Sequence, residues 1–197
     1  HKEYRRQRQM CIRDRLCIAG IWIINLNTLW FVKPLSQNLS HLGNALHMRW
    51  YLMLWAASAA LYFYVYTRKW MASLEYRNRL GWLVLSLSCL GMVFSVLLPY
   101  APYVHATLSK WHTRLAMGST ILYVLLIFHI LCELLTRDIA AFQKVAGPYA
   151  MLVVFELLLY LLNGGVSTLL EICFPMTMSL YLYTVNSSFS RRNRFSK

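Results

Sequence analysis

Apolar and polar positions follow one another in long blocks along this chain, with six apolar runs joined by short polar connections. The runs are Leu16–Val32, Trp50–Thr67, Leu80–Leu98, Leu115–Thr136, Tyr149–Asn163 and Ser167–Val185. A helix that crosses a bilayer needs about 20 mostly apolar residues, with a range of roughly 17–25, and most of the runs have such a length. The pattern therefore predicts an all-α fold, a polytopic membrane bundle of six transmembrane helices.

Composition supports a membrane protein. The chain is 58% hydrophobic and 14% charged, whereas soluble domains have about 45–50% apolar and about 25% charged residues. Its net charge of +13 could favour nucleic-acid binding. The cations, however, flank the apolar runs, as in membrane proteins, and do not follow the pattern of a basic nucleic-acid-binding surface. We therefore expect membrane lipids and no nucleic acid as partners, and leave open a homo-oligomer or a membrane partner protein.

The predicted organisation has three parts: a basic segment at 1–15, a six-helix transmembrane domain at 16–190 and a basic cytoplasmic tail at 191–197. The first part is dense in arginine and without periodicity. Its sequence RRQRQMCIRDR resembles the translated sequencing-adapter read-through that contaminates metagenomic assemblies. We therefore interpret residues 1–15 as non-native or disordered and assign them no function.

The distribution of cations predicts the orientation. Ten Lys and Arg residues lie in the connections after runs two and four and in the C-terminal tail, against four in the connections on the opposite side. Short basic connections stay cytoplasmic. Both termini are therefore predicted to be cytoplasmic, and we expect the protein in a bacterial plasma membrane.

The two longer outer connections, after runs one and three, hold most of the unusual chemistry. The candidate residues of this outer face are Ser40, His41, Gly43, Asn44, His105, His112 and Arg114, joined by Glu171 near the outer end of run six. Three interpretations remain open. Arg with Ser and Asn can bind a phosphate such as a lipid headgroup; Ser40 or Asn44 can cap a short helix; or Glu171 can approach the outer histidines and complete a metal or catalytic site. The connections themselves contain no acid and no zinc spacing, so we predict no metal.

Three ionisable residues fall inside apolar runs: His129, Glu133 and Glu156. Such residues are costly in a membrane and are candidates for function. With run five beginning near Tyr149, Glu156 is expected at the same depth as His129, so the two can pair, while Glu133 stands four residues before Arg137 at ion-pair spacing. They predict either a proton-sensitive relay or a buried polar clamp that orders the helices.

Other positions predict how the helices pack. Asn25 and Asn27 can form hydrogen bonds between helices, and the small residues 56–60 allow close approach. Pro175 is expected to kink the last helix. The five cysteines form no CxxC pair, so we expect no disulfide framework. No nucleotide-binding, serine-hydrolase or zinc-protease motif is present in the sequence, and only one histidine is deep, so no cofactor is expected.

The connection after run one also resembles a known signature. Pro34, Leu39, Ser40, Leu42, Gly43 and Asn44 are similar to the proline-then-(Ile/Leu)-Ser-x-(Leu/Thr)-Gly pattern of the six-span superfamily of the damage-regulated autophagy modulators and their bacterial relatives of unknown function. Pro99 followed by His105 or His112 resembles a second feature of that superfamily. Many of its members have an acid where His41 stands here. The resemblance implies a polytopic membrane protein with no established enzyme chemistry.

Taken together, the sequence favours a non-enzymatic membrane protein that contacts a lipid or a partner through its histidine-bearing outer face. Two alternatives stay open. One is a small transporter or channel-like protein that uses the intramembrane Glu and His residues. The other is a lipid-modifying membrane enzyme, for which the outer histidines and Glu171 are the candidates and the catalytic residues are unknown.

Overall fold

The computed structural model describes residues 2–195, with side chains described for residues 12–189. These residues form seven helices and no strand, which confirms the all-α class. The helices are α1 (Lys2–Thr28), α2 (Ser40–Asn44), α3 (Arg49–Ser73), α4 (Arg79–Leu97), α5 (Ala106–Arg137), α6 (Ile139–Leu162) and α7 (Thr168–Phe195). Most of the predicted segment 1–15 and all of the tail 191–197 lie outside the residues with described side chains, so their interpretations stay predictions.

Four helices are long and apolar enough to cross a membrane. They are Arg79–Leu97, Ala106–Arg137, Ile139–Leu162 and Thr168–Phe189. Helix α3 has the length as well, but its many Tyr and Trp residues make it less apolar. The protein therefore has the features of a membrane protein.

The helices begin and end at different residues from the apolar runs. Helix α6 begins at Ile139 and not at Tyr149, because the Asp138 carboxylate accepts a hydrogen bond from the Ala141 N–H at 3.0 Å and caps the helix. Pro148 lies inside this helix without ending it. Helix α5 begins at Ala106. His112 and Arg114, predicted in a connection, therefore belong to a helix. Hydropathy marks where a helix is apolar, whereas capping decides where it begins.

Five helices form a closed ring. Helices α3, α4, α5, α6 and α7 contact one another in chain order, and α7 closes the ring against α3. Helix α1 packs outside the ring against α3 and α7. As predicted, its asparagines bond across helices: Asn25 Oδ1 accepts from Trp55 Nε1 at 2.8 Å, and Asn27 Nδ2 donates to the Tyr51 hydroxyl at 3.3 Å.

The bundle has two unlike ends. The connections 29–48, 98–105 and 163–167 lie at what we call the histidine end, and the connection 74–78 and Asp138 lie at the arginine end. At the histidine end the first N–H groups of α7 have no partner within their helix. Thr168 donates instead to the Gln37 carbonyl at 2.8 Å, and Leu169 to the Pro34 carbonyl at 2.9 Å. These bonds attach the α1–α2 connection to the start of α7.

Buried side chains fill much of the half of the ring toward the arginine end, and a smaller pocket of about 200 Å³ lies beside Tyr76 and Arg137. The side chains with almost no exposed surface are Phe63, Trp70, Met71, Leu85, Tyr123, Ile127, Ile130, Met178, Leu182 and Val185. Phe63 stacks on Tyr123 with 5.1 Å between ring centroids, and the Tyr123 hydroxyl bonds the Thr67 hydroxyl at 2.6 Å. This aromatic pair joins α3 to α5 across the ring and forms a floor beneath the other half.

Close packing of α4 on α5 depends on a glycine. A Cβ placed on Gly91 would lie 2.1 Å from Ser119 Oγ and 3.1 Å from Ser119 Cβ. We expect Gly91→Val to lower the free energy of unfolding by about 1–3 kcal/mol, the usual cost of overpacking, as measured by unfolding in mixed micelles. Gly118→Val is the control, because a Cβ there meets nothing within 4 Å. Equal destabilisation by both variants would contradict the packing.

Candidate functional site

A cavity of about 350 Å³ occupies the half of the ring toward the histidine end. Residues from all five ring helices and from the α1–α2 connection line it, and most of them are apolar. The polar lining residues are Ser40, Ser95, His112, Thr120, Glu156, Tyr160 and Glu171. A largely apolar pocket with a few polar groups is the usual form of a small-molecule binding site.

Ser40 and His112 form a hydrogen-bonded pair on the cavity wall. Ser40 Oγ lies 2.9 Å from His112 Nε2, and both residues are buried. His112 Nδ1 lies 2.7 Å from the Ser95 carbonyl oxygen and 3.1 Å from that of Leu98. Carbonyl oxygens only accept hydrogen bonds, so Nδ1 carries a proton. In the neutral imidazole His112 Nε2 is then an acceptor, and the Ser40 hydroxyl donates to it.

Local sequence explains this arrangement. Pro99 follows Leu98 and disfavours further helix, so α4 ends at Leu97. The Leu98 carbonyl has no following turn to pair with, and the Ser95 carbonyl accepts from the Leu98 N–H at 3.2 Å as well as from His112. His112 lies in α5 and not in a loop, about 9 Å along the axis from its first residue. The prediction that Ser40 or Asn44 caps the short helix α2 is wrong, since Leu39 occupies that position and makes no side-chain cap.

Glu171 reaches the same part of the cavity. Its Oε2 accepts a hydrogen bond from the Leu39 N–H at 2.6 Å. Leu39 is almost fully buried and directly precedes Ser40. The carboxylate therefore holds the backbone that carries the Ser40 hydroxyl, from the first turn of α7.

Glu156 also lines the cavity, at a different depth from the one predicted. Because α6 begins at Ile139, Glu156 lies about 9 Å along the axis from Leu162, toward the histidine end. Its Oε1 accepts from the Thr177 hydroxyl at 2.9 Å. Its Oε2 is buried and, among the described residues, has no hydrogen-bond partner. The predicted pairing of Glu156 with His129 is not formed.

His129 and Glu133 belong to a cluster at the arginine end. His129 Nε2 lies 3.5 Å from one Glu133 oxygen, and Arg137 Nη2 lies 3.2 Å from the other. Arg137 Nη1 also donates to the Leu74 carbonyl at 3.2 Å. Burial, and secondly the nearby Glu133 carboxylate, raise the pKa of Tyr76 in the adjoining connection to about 12. The cluster is partly exposed, lacks Glu156 and holds the connection 74–78 against α5, so the predicted buried clamp with Glu156 is not formed here.

The other predicted site residues lie apart from the cavity lining. His41 Nε2 bonds Gln37 Nε2 at 3.3 Å, His105 is exposed, and the Arg114 guanidinium lies 5.8 Å from the centre of the Trp111 ring. Two residues support the site. Asn44 Nδ2 donates to the Ser40 carbonyl at 2.9 Å. A Cβ on Gly43 would lie 3.0 Å from Leu52 Cδ2, so a glycine allows α2 to pack closely on α3.

The cysteines and acidic residues form no second candidate metal or catalytic site in the described part of the chain. Cys17, Cys89, Cys132 and Cys173 are free thiols. No three His, Cys, Asp or Glu residues among those described lie close enough together to hold a metal ion.

Sequence reasoning missed the backbone partners of the site. The carbonyls of Ser95 and Leu98 orient His112, and Thr177 orients Glu156. Pro99 was a usable signal for the first, because a helix that stops before a proline leaves its last carbonyls unpaired. Nothing in the sequence alone indicated that Thr177 would meet Glu156, since they lie on different helices.

Comparisons of the chain with protein-family models, with curated proteins and with solved structures found no match. The resemblance to the six-span superfamily therefore stays a prediction.

Proposed function

We propose that this is a six-span membrane protein, with both termini cytoplasmic, that binds an acyl lipid in the cavity at its histidine end. One observation carries the proposal: a largely apolar cavity of about 350 Å³ lies in the ring toward the histidine end, and Glu156, which lines it, has a buried oxygen with no hydrogen-bond partner among the described residues. A buried polar atom without a partner costs free energy. A ligand that brings a polar group to Glu156 removes this cost.

An acyl lipid has the chemistry that fits this cavity. Its chain matches the apolar lining, and an ester carbonyl oxygen can accept a hydrogen bond from the Glu156 carboxyl in its protonated form. Four cations, Lys33, Arg49, Lys110 and Arg114, belong to the histidine end and can pair with a headgroup phosphate. A lipid is also the molecule that surrounds such helices in a bilayer.

The proposed membrane topology rests on the number of long helices and on the distribution of Lys and Arg residues. Helices α1 and α3 complete the six spans beside the four most apolar helices. The larger number of Lys and Arg residues at the arginine end supports a cytoplasmic location for that end.

Transport receives less support. A path across the bundle would have to pass the aromatic floor of Phe63 and Tyr123 and the buried side chains beyond it. A proton-coupled flux assay with Glu156→Gln addresses this alternative directly.

Lipid retention tests the proposal. The protein is purified in a mild detergent and its mass is measured by native mass spectrometry, with extracted lipids identified separately. We expect a retained phospholipid that survives detergent exchange, because the polar contacts and the enclosing helices slow its release. A folded protein whose mass shows no bound lipid would refute the proposal.

A further inference from the structure

We propose that Ser40 is a nucleophile and His112 its general base, in a site that cleaves the carboxylic ester of the lipid bound in this cavity. The inference rests on the proposed lipid binding and adds a reaction to it. The carrying observation is the hydrogen bond of 2.9 Å between Ser40 Oγ and His112 Nε2, on the wall of the cavity.

The pair has the three-part arrangement of an activated serine. A nucleophile needs a base within hydrogen-bond reach, and the base needs a third group that orients it. Here the third group is the end of α4: the carbonyls of Ser95 and Leu98 accept from His112 Nδ1 and leave Nε2 facing Ser40. Without them the imidazole would have no fixed tautomer.

The end of α4 also favours the charge that the reaction creates. When Ser40 gives up its proton, His112 becomes an imidazolium. The carbonyl end of a helix carries partial negative charge and stabilises a cation placed there. Arg49, which donates to the Leu97 carbonyl at the same end, acts in the opposite sense. The backbone of α4 thus takes the part that a carboxylate plays in a serine–histidine–aspartate triad.

The reaction that follows has two halves. Ser40 Oγ bonds the ester carbonyl carbon while its proton passes to His112 Nε2. The carbon–oxygen bond to the alcohol breaks, and that proton passes to the leaving alkoxide, which gives a free alcohol and an acyl group esterified to Ser40. A water molecule, deprotonated by His112 Nε2, then attacks the acyl carbonyl carbon. The bond to Ser40 Oγ breaks, the proton returns to Ser40, and a fatty acid is released.

Glu171 serves as a positioning residue. Its hydrogen bond to the Leu39 N–H fixes the peptide immediately before Ser40, and Asn44 holds the Ser40 carbonyl. These two hydrogen bonds hold the Ser40 hydroxyl within reach of His112. They are needed because α2, which carries Ser40, is a helix of only five residues.

A serine-directed fluorophosphonate with a long alkyl chain tests the inference on the full chain in mild detergent. We expect a phosphonyl adduct on Ser40, located by peptide mass spectrometry. Its rate should fall at least a hundredfold in His112→Gln, and no adduct should form at position 40 in Ser40→Ala. The matched control is Ser88→Ala, whose buried hydroxyl donates to the Leu85 carbonyl in its own helix and lies outside the cavity lining; it should label at the wild-type rate. A p-nitrophenyl ester of a long-chain fatty acid should give a burst of nitrophenolate with the wild type and Ser88→Ala. The burst should be much slower in His112→Gln and absent in Ser40→Ala.

Lipid retention, measured in parallel, separates the two proposals. Retained phospholipid without an adduct on Ser40 overturns the ester-cleavage inference and leaves lipid binding intact. An adduct that forms equally fast in His112→Gln also overturns it, because the histidine is then no base. Absence of both lipid and adduct from the folded protein refutes both proposals. An adduct that depends on His112, with a labelling rate that rises with pH through a single ionisation, supports the pair.

Discussion

Filling the cavity is expected to abolish lipid retention. Ala116 lies one helical turn beyond His112 on α5 and lines the cavity. In Ala116→Trp an indole ring occupies space that the acyl chain would use. We expect the fraction of protein that carries a lipid in native mass spectra to fall at least tenfold, with the helical content unchanged by circular dichroism.

The control for this variant is Ala57→Trp. Ala57 is exposed on α3 and outside the cavity lining, although its neighbour Ala56 lines the cavity. An indole at position 57 therefore extends the outer surface of the bundle, and lipid retention should stay at the wild-type level. If the two variants retained lipid equally, the bound lipid would not lie in this cavity.

Removing the Glu171 carboxylate is expected to release the α1–α2 connection. In Glu171→Leu the Leu39 N–H, held at 2.6 Å by the carboxylate, loses its acceptor while buried. An unsatisfied buried amide costs about 1–3 kcal/mol. The free energy of unfolding in mixed micelles should fall by about that amount, and exchange of the Leu39 amide hydrogen should accelerate.

Glu171→Gln distinguishes this hydrogen bond from charge. The glutamine keeps an amide oxygen that can accept from Leu39, so most of the stability should return. Equal losses in the Leu and Gln variants would show that the carboxylate charge, and not the hydrogen bond to Leu39, stabilises the connection.

The helical class and much of the packing follow from the sequence. Runs of apolar residues long enough to span a bilayer predict helices, since lipid leaves no other way to satisfy the backbone. The asparagines of α1 bond across to α3, as expected of polar side chains among apolar ones. The spacing of Glu133 and Arg137 also gives the ion pair that the structure has.

The depth of Glu156 could not be predicted from hydropathy. The apolar run predicts a span that begins near Tyr149, but the Asp138 cap begins the helix earlier and Pro148 lies inside it. Moving the start of α6 moves Glu156 from the side of His129 to the side of His112. Its partner Thr177 then comes from a helix that is adjacent only in the folded ring.

Which of the outer histidines lie at the cavity also could not be predicted from the sequence, because it depends on how the helices pack. Of the outer histidines only His112 lines the cavity. It lies on the buried face of the first turns of α5, together with Ser109, whereas Arg114 lies on the exposed face. His41 and His105 lie outside the cavity lining. The pairing of Ser40 with His112 joins helix α2 to helix α5, which no spacing in the sequence reveals.

Photolabelling is the most direct measurement of the central claim that a lipid occupies the cavity at the histidine end. A phospholipid with a diazirine in its acyl chain is incorporated in vesicles with the protein, irradiated, and its cross-links are mapped. We expect cross-links at the cavity-lining residues Thr120, Val153 and Phe174, lost in Ala116→Trp. Cross-links confined to exposed residues outside the lining, such as Leu122, Leu157 and Leu180, would contradict the account.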